Sequence, residues 1–195
     1  VVPNFFDVVS LSSKTISGPG ISEPLHWTYG YGNGYEPLWG TSGGAARYPC
    51  TDCKQEQQVV VANPDGTKAV YRYGTQYALN EGRLLGSSIL NASGATLRTT
   101  STVHMTTDEA AAQPFPQTYG LIYGGDDPST AQIRPVVAEA VEQDEVHYQT
   151  TMLAFDSLAR PTRINSSSAM GTRTELLEYA DSRTLWILGQ QSRRT

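Results

Sequence analysis

The sequence has no long apolar run, no cluster of basic residues and no recognisable targeting signal. None of its apolar stretches approaches the ~20 residues that a bilayer-spanning helix needs, so no membrane span is expected. Lysine and arginine number 14 against 19 acidic residues, a net charge of −5, which argues against a nucleic-acid partner. The chain starts with Val1 rather than methionine and stops within a strand-like stretch, residues 190–195. We therefore expect a piece excised from a longer protein rather than a processed mature chain.

Cysteine is scarce, with only Cys50 and Cys53 in the chain. Their flanks lack the helix start that would lower a thiol pKa for redox chemistry. A zinc site would need two further ligands, and the three histidines are remote in sequence. A local disulfide in an oxidising compartment, or two plain thiols, is the favoured interpretation, and a metal or redox role is the lesser alternative.

The usual patterns of catalytic residues are also missing. Acidic residues such as Asp126, Asp127 and Glu142 occur in turn-like contexts typical of solvated charge, and no twelve-residue calcium loop surrounds them. No Gly-x-Ser-x-Gly sequence is present, and His26, His104 and His147 lie in separate strand-like runs. The sequence predicts a protein that is not an enzyme and that needs no cofactor or metal.

What the sequence does contain is strand and turn residues. Eleven tyrosines together with many threonines and valines favour β-strands, while 18 glycines and 11 prolines require many turns. The apolar fraction of 38% is low for a compact domain, but adding glycine brings it into the usual range. We predict an all-β, antiparallel fold of stacked hairpins that forms one elongated domain over residues 1–195.

Several hairpins can be placed from period-two alternation and turn residues. Residues 59–61 and 69–73 flank Asp65-Gly66, which supplies the positive φ angles that a tight turn needs. Residues 84–90 and 96–105 form a second hairpin. Further strands are predicted at 5–9, 25–31, 133–143, 146–155, 162–167, 173–179 and 184–190. A helix over residues 136–142 is the competing interpretation, because alternation there is imperfect. Prolines and glycines make residues 107–131 a loop insertion with one short helical turn.

An aromatic group occupies the glycine-rich N-terminal part, residues 1–58. Its members are Trp27, Tyr29, Tyr31, Tyr35 and Trp39. Flat rings on a weakly charged β-surface could stack against sugars, which would make the chain a carbohydrate-binding module. The favoured alternative is that the rings cover the inner face of the sheet, because alternation places Trp27, Tyr29 and Tyr31 on one side.

One ten-residue stretch, residues 155–164, resembles a known repeat. Phe155-Asp156 followed by Ala159-Arg160-Pro161 is similar to the unit of RHS (YD-repeat) proteins, in which an aromatic-Asp pair precedes a Gly-Arg-Leu turn; here Ala159 replaces the glycine. Asp65-Gly66 before residues 71–73, and Gly82-Arg83-Leu84, resemble parts of the same unit. The final segment, from Gly171 to Gln190, resembles the start of the repeat array in large bacterial surface or secreted proteins.

The resemblance implies a function as well as a fold. Each unit is a hairpin that cannot bury its apolar face alone, so neighbouring units stack into a continuous sheet. In this family such sheets form shells that can enclose a toxic domain. By resemblance, the chain is a non-enzymatic structural segment of a secreted or cell-surface protein, with RHS-like hairpins over residues 132–195. Its partners would be neighbouring repeats or identical subunits joined through sheet edges, and Asp156 and Arg160 would fasten a structural turn.

Overall fold

The computed structural model describes residues 10–32, 56–75, 80, 82–118, 132–182 and 184–195. Within these residues it contains one short helix and eleven strands. The helix is α1 (Thr107–Ala111). The strands are β1 (Ser13–Ile16), β2 (Leu25–Gly30), β3 (Glu56–Ala62), β4 (Lys68–Gly74), β5 (Leu84–Leu90), β6 (Thr96–His104), β7 (Val136–Gln143), β8 (Val146–Phe155), β9 (Pro161–Ser168), β10 (Gly171–Ser182) and β11 (Ile187–Arg194).

All eleven strands belong to one open antiparallel sheet. Their spatial order is the chain order, β1 to β11, so each strand pairs with the strand before it and the strand after it. No described strand pairs with the outer edge of β1 or of β11. The predicted all-β, antiparallel, elongated fold is confirmed. It follows from the many short alternating segments, each followed by turn residues that reverse the chain.

The turns and loops lie at the two ends of the strands, not at the β1 and β11 edges, and the two ends differ in their connections. At one end the strands are joined by short turns, as between β7 and β8 (Asp144-Glu145) and between β9 and β10 (Ala169-Met170). The strands that are connected at the other end are farther apart in sequence: β2 ends at Gly30 and β3 begins at Glu56, and β6 ends at His104 and β7 begins at Val136. We call this second end the long-loop end. Because successive antiparallel turns alternate between ends, the turn at Asp156 also lies there.

The long-loop end holds the main apolar core of the described residues. Met105, Ala110, Phe115, Ile133 and Phe155 are buried together, and Val137, Met152 and Ala159 pack against them. Phe115 meets Phe155 edge to face, with the ring centres 6.0 Å apart. The residues around α1 thus cover one face of the sheet close to the β8–β9 turn.

Local sequence explains why α1 forms and why it is short. Thr106 accepts a hydrogen bond from the backbone N–H of Glu109, and the Glu109 carboxylate accepts one from the Thr106 N–H, which is a capping box. Two prolines, Pro114 and Pro116, follow shortly after its end and prevent the helix from continuing. This agrees with the predicted short helical turn in residues 107–131.

Elsewhere in the described residues the sheet is a single layer in which most side chains are half-buried or exposed. Pairing places Tyr29 opposite Val61, Val61 opposite Ala69, and Tyr71 opposite Val59. Paired residues share a face, so one face carries a group of aromatic and aliphatic side chains, which we call the aromatic face. Its members on β2 to β4 are Trp27, Tyr29, Val59, Val61, Ala69, Tyr71 and Tyr73.

Several details of the strands differ from the sequence-based expectations; β1, for example, was not predicted. Residues 136–142 are strand, so the helix alternative is wrong. The last strand begins at Ile187 rather than at residue 184, because Trp186 adopts a positive φ of 52° that ends the preceding turn. In the β3–β4 turn only Gly66 has a positive φ, 83°, whereas Asp65 does not. That turn is therefore a longer loop than a two-residue hairpin. The predicted strand over residues 5–9 lies outside the described residues.

Candidate functional site

The turn between β8 and β9 is a five-residue loop with a defined backbone pattern. The N–H of Asp156 donates to the carbonyl of Arg160 (2.9 Å), and the N–H of Ala159 donates to the carbonyl of Asp156 (3.0 Å). Ala159 has a φ of 60°, in the left-handed region that favours glycine. This conformation explains why a glycine would be expected at the position that Ala159 occupies.

Two other turns repeat this pattern at the opposite end of the sheet. The N–H of Asn63 donates to Thr67 and that of Gly66 to Asn63, at 2.9 and 3.0 Å. The N–H of Asn91 donates to Ala95 and that of Gly94 to Asn91, again at 2.9 and 3.0 Å. Gly66 and Gly94 hold the left-handed positions, with φ of 83° and 89°. The three loops share one backbone hydrogen-bond pattern and differ in their side chains.

The Asp156 carboxylate organises its own loop. Its Oδ1 accepts from the backbone N–H groups of Leu158 (2.9 Å) and Arg160 (3.0 Å). Its Oδ2 accepts from Nε (2.7 Å) and Nη2 (2.5 Å) of Arg160. A carboxylate that accepts from two backbone amides and a guanidinium holds a turn in one conformation. Asp156 and Arg160, the two residues singled out in the sequence, are therefore in direct contact.

Arg160 also reaches across the sheet to β10. Its Nη1 and Nη2 donate to the two carboxylate oxygens of Asp181 at 2.7 and 2.8 Å. Its guanidinium lies over the Tyr179 ring, 4.2 Å from the centroid, and the Tyr179 hydroxyl donates to the carbonyl of Pro161. Asp181 in turn accepts from the N–H of Gly189, on β11. We call Asp156, Arg160, Tyr179 and Asp181 the Arg160 cluster; it joins a turn and two strands.

Sequence reasoning missed Tyr179 and Asp181. Both lie about twenty positions after Arg160, and only the β9–β10 register brings them to it. The only signal for them is their alternation, because residues 179 and 181 point to the same side of a strand.

The charges in the Arg160 cluster are stabilised in their ionised forms. Partial burial acts to raise the pKa of Asp156, but the hydrogen bonds from Arg160 and Leu158 outweigh it and leave that pKa below its ordinary value. Hydrogen bonds to Asp181 and then to Asp156 raise the pKa of Arg160. A carboxylate with a lowered pKa is a poor proton donor or acceptor near neutral pH. The cluster is suited to holding structure rather than to acid–base catalysis.

A second charged group lies at the β10–β11 edge. The side chain of Glu175 is only 7% exposed and accepts from Nε (2.6 Å) and Nη2 (2.7 Å) of Arg194. Nη2 of Arg173 lies 2.6 Å from the same carboxylate. The hydrogen bond from Arg194 is the main cause that lowers the pKa of Glu175. We call these three residues the Glu175 cluster.

The predicted aromatic group is only partly described. Trp27 and Tyr29 are half-buried on the aromatic face, and the ammonium of Lys14 lies 4.8 Å from the Trp27 ring centre. The Tyr31 hydroxyl donates to the carbonyl of Leu11. The Trp27 and Tyr31 rings thus contact residues at the N-terminal edge of the sheet. Tyr35 and Trp39, like Cys50 and Cys53, lie outside the described residues.

The remaining polar candidates are dispersed. His26 contacts Thr15, His104 lies near the carbonyls of Leu84 and Arg134, and His147 lies 3.5 Å from Glu142. In the part of the chain that the structure describes, no three His, Cys, Asp or Glu side chains lie close enough together to hold a metal ion. Nor does any helix in those residues have the length and apolar character needed to cross a membrane.

Comparison with known proteins identifies no relative. No protein-family model, no curated protein sequence and no solved structure matches the chain. The residues and their geometry are therefore the basis for any functional conclusion.

Proposed function

We propose that this chain is a non-enzymatic structural segment of a larger secreted or cell-surface bacterial protein of the RHS (YD-repeat) type. In this role it would form part of a long β-sheet that continues beyond this chain, which we call the wall. The wall would either surround an enclosed toxic domain or belong to a surface-contact assembly. The single observation that carries the proposal is the open sheet of eleven sequential antiparallel strands, with no described strand on the outer edge of β1 or β11.

The openness of the sheet supports this role because exposed edges are a liability in a protein that acts alone. Unpaired N–H and C=O groups along an edge attract further strands, and self-contained proteins usually protect such edges. Away from the core around α1, the described part of the sheet is one layer thick, so its described side chains remain available to whatever it surrounds or contacts. A segment of a longer wall would have its edges covered by the strands that flank it.

The Arg160 cluster also supports this role, because it stabilises the contact between neighbouring hairpins. A single-layer sheet has little core, so each hairpin needs another source of stability. The cluster provides one, since Arg160 bonds the β8–β9 turn to Asp181 on the adjacent hairpin. A bond between successive hairpins is what a stacked array requires.

Carbohydrate binding remains a second candidate, with weaker support. Trp27 and Tyr29 lie on one face, as a sugar-stacking platform would need. However, Lys14 already covers part of the Trp27 ring, where a sugar would have to stack. A glycan array that detects binding, abolished by Trp39→Ala, would favour this candidate over the structural one.

The proposal is tested by the size and location of the native protein. Antibodies raised against this chain would be used to isolate the protein from its source, and mass spectrometry would determine its mass. We expect a mass far above 21.2 kDa, in the culture medium or on the cell surface. A mass of 21.2 kDa in a cytoplasmic fraction would contradict the proposal.

A further inference from the structure

The outer edge of β11 has features of a binding site for an added strand. All eight residues of β11 are exposed, and no proline interrupts the strand. Only β10 pairs with β11 among the described strands. Such an edge can accept an extended peptide through main-chain hydrogen bonds, as in β-augmentation.

The backbone near the end of β11 points toward that open edge. Thr195 exchanges both backbone hydrogen bonds with Leu176, at 3.0 and 3.1 Å. In an antiparallel ladder, adjacent residues direct their N–H and C=O groups to opposite sides. Because Thr195 is bonded to β10, the N–H and C=O of Arg194 face away from β10 and toward the open edge.

The Arg194 side chain indicates which charge would bind beside it. Its Nε and Nη2 donate to Glu175, which leaves Nη1 without a described partner on a side chain that is 57% exposed. Arg160 shows the completed version of this arrangement, since its three nitrogens bind Asp156 on one side and Asp181 on the other. Arg194 has a carboxylate on the β10 side only. Charge complementarity therefore calls for an acidic residue on the strand that would lie next to β11.

The other end of β11 is apolar. Leu185, Trp186, Ile187 and Leu188 form a consecutive exposed patch, in which Leu185 is 70% and Trp186 is 78% exposed. Trp186 also holds a positive φ of 52°, which is a costly conformation for a large side chain. Four consecutive exposed apolar residues, two in the β10–β11 turn and two at the start of the edge strand, are typical of a protein contact site.

From these observations we propose that the β11 edge binds an extended, acidic-then-apolar segment, a neighbouring strand of the larger wall, as an antiparallel twelfth strand. Antiparallel pairing fixes the order of residues in that segment. The acidic residues come first, opposite Arg194, and the apolar residues come last, beside Ile187 and the exposed patch. This inference rests on the proposed function for the source of the segment, a neighbouring strand of the larger wall, but its binding chemistry can be measured on this chain alone.

The test uses a fluorescein-labelled synthetic peptide with aspartates at its amino end, threonines and valines in the middle and isoleucines at its carboxyl end. Fluorescence anisotropy would measure its binding to the full chain at low and high salt. We expect binding that weakens with added salt and that is about fivefold weaker for a peptide with the reversed order of residues. Absence of binding, or equal binding of the two peptides, would overturn the proposal.

Variants of the protein sharpen the test. Arg194→Gln should weaken binding about fivefold and Arg194→Lys should restore part of it, because the positive charge returns. Arg98→Gln, which removes an equal charge from the exposed position on β6, should bind as the unchanged protein does. Unchanged binding by Arg194→Gln would contradict the assignment. Self-association through β11 that the peptide cannot displace would also contradict it, since the occupant would then be a second copy.

The two proposals can fail separately. If the native protein proves to be 21.2 kDa and cytoplasmic while the peptide binds as predicted, the proposed structural role is wrong and the proposed binding site at the β11 edge is supported. If the native protein is large and secreted while the peptide does not bind, the edge site is wrong.

Discussion

The Asn91 turn and the Asp156 turn have the same backbone and different surroundings. In both, a first-position side-chain oxygen accepts from two backbone amides, of Ser93 and Ala95 in one and of Leu158 and Arg160 in the other. The Asn91 turn is exposed beyond its first residue, and the hydrogen bonds of the Asn91 side chain stay within the turn. The Asp156 turn follows the buried Phe155 and is tied by Arg160 to β10. The comparison shows that turn geometry is a local property, whereas the bond between neighbouring hairpins depends on added charge and packing.

The left-handed position differs in the same way. Gly94 has open space around its Cα, and nothing lies within 4 Å of where a Cβ would be. Ala159 carries a methyl group that packs against the apolar core at the long-loop end. The strained alanine is therefore compensated by a contact that the glycine turn has no means to make.

The largest expected effect comes from removing the packing that supports the Asp156 turn. Phe115→Ala should lower the free energy of unfolding by about 3 kcal/mol, because it deletes a buried ring that contacts Phe155. Urea denaturation would measure the loss. The matched control is Leu97→Ala, at an exposed position on β6, which should cost less than about 1 kcal/mol. Equal losses would show that the core does not support this end of the sheet.

Next in size is the loss of the charge that links the hairpins. Arg160→Gln leaves Asp156 and Asp181 close together without a guanidinium between them, so we expect a loss of about 2–3 kcal/mol in the free energy of unfolding. Arg163→Gln, at an exposed position on β9, should change it by less than about 0.5 kcal/mol. Thermal denaturation of the two variants side by side would check this. If they melt together, the Arg160 cluster does not contribute to stability.

Asp156→Asn replaces the carboxylate at the first position of the turn with an amide, the group that Asn91 has in its own turn. The amide oxygen can still accept from the two backbone N–H groups, but the ion pair with Arg160 is lost. We expect a loss of about 1–2 kcal/mol at neutral pH.

The same variant should alter the acid sensitivity of the protein. Because the folded pKa of Asp156 lies below its ordinary value of about 3.9, its ionised form stabilises the fold above that pH. This contribution disappears as the pH falls through the folded pKa. The difference in stability between the two proteins should therefore shrink on acidification below about pH 4. A difference that stays constant with pH would show that the charge of Asp156 has no stabilising role.

The smallest effects concern the left-handed positions. Gly94→Ala should cost about 1 kcal/mol, because a Cβ is strained at a φ of 89° even in open space. Ala159→Gly should change stability by less than about 0.5 kcal/mol, since relief of strain is offset by the lost methyl contact and a more flexible unfolded chain. Differential scanning calorimetry of both variants would measure the pair. A clear stabilisation by Ala159→Gly would mean that the methyl contact contributes little.

The sequence was informative where structure depends on neighbouring residues. The hairpin around Asn91 and the turn at Asp156 were predictable, because the turn residues lie within a few positions of each other. The contact of Arg160 with Tyr179 and Asp181 was not, because it depends on the register of three strands. The predicted start of β11 is wrong because Thr184, Leu185 and Trp186 are typical strand residues, and only the positive φ of Trp186 shows that they form a turn.

The most direct test of the central claim, that this sheet is a wall segment with an open edge, is hydrogen–deuterium exchange of the β11 amides. Mass spectrometry would compare residues 187–195 with residues 161–168 in the isolated chain and in the native protein from its source. We predict that β11 exchanges faster than β9 in the isolated chain and becomes as protected as β9 in the native protein. Equal protection of β9 and β11 in the isolated chain, or rapid exchange of β11 in the native protein, would contradict the account.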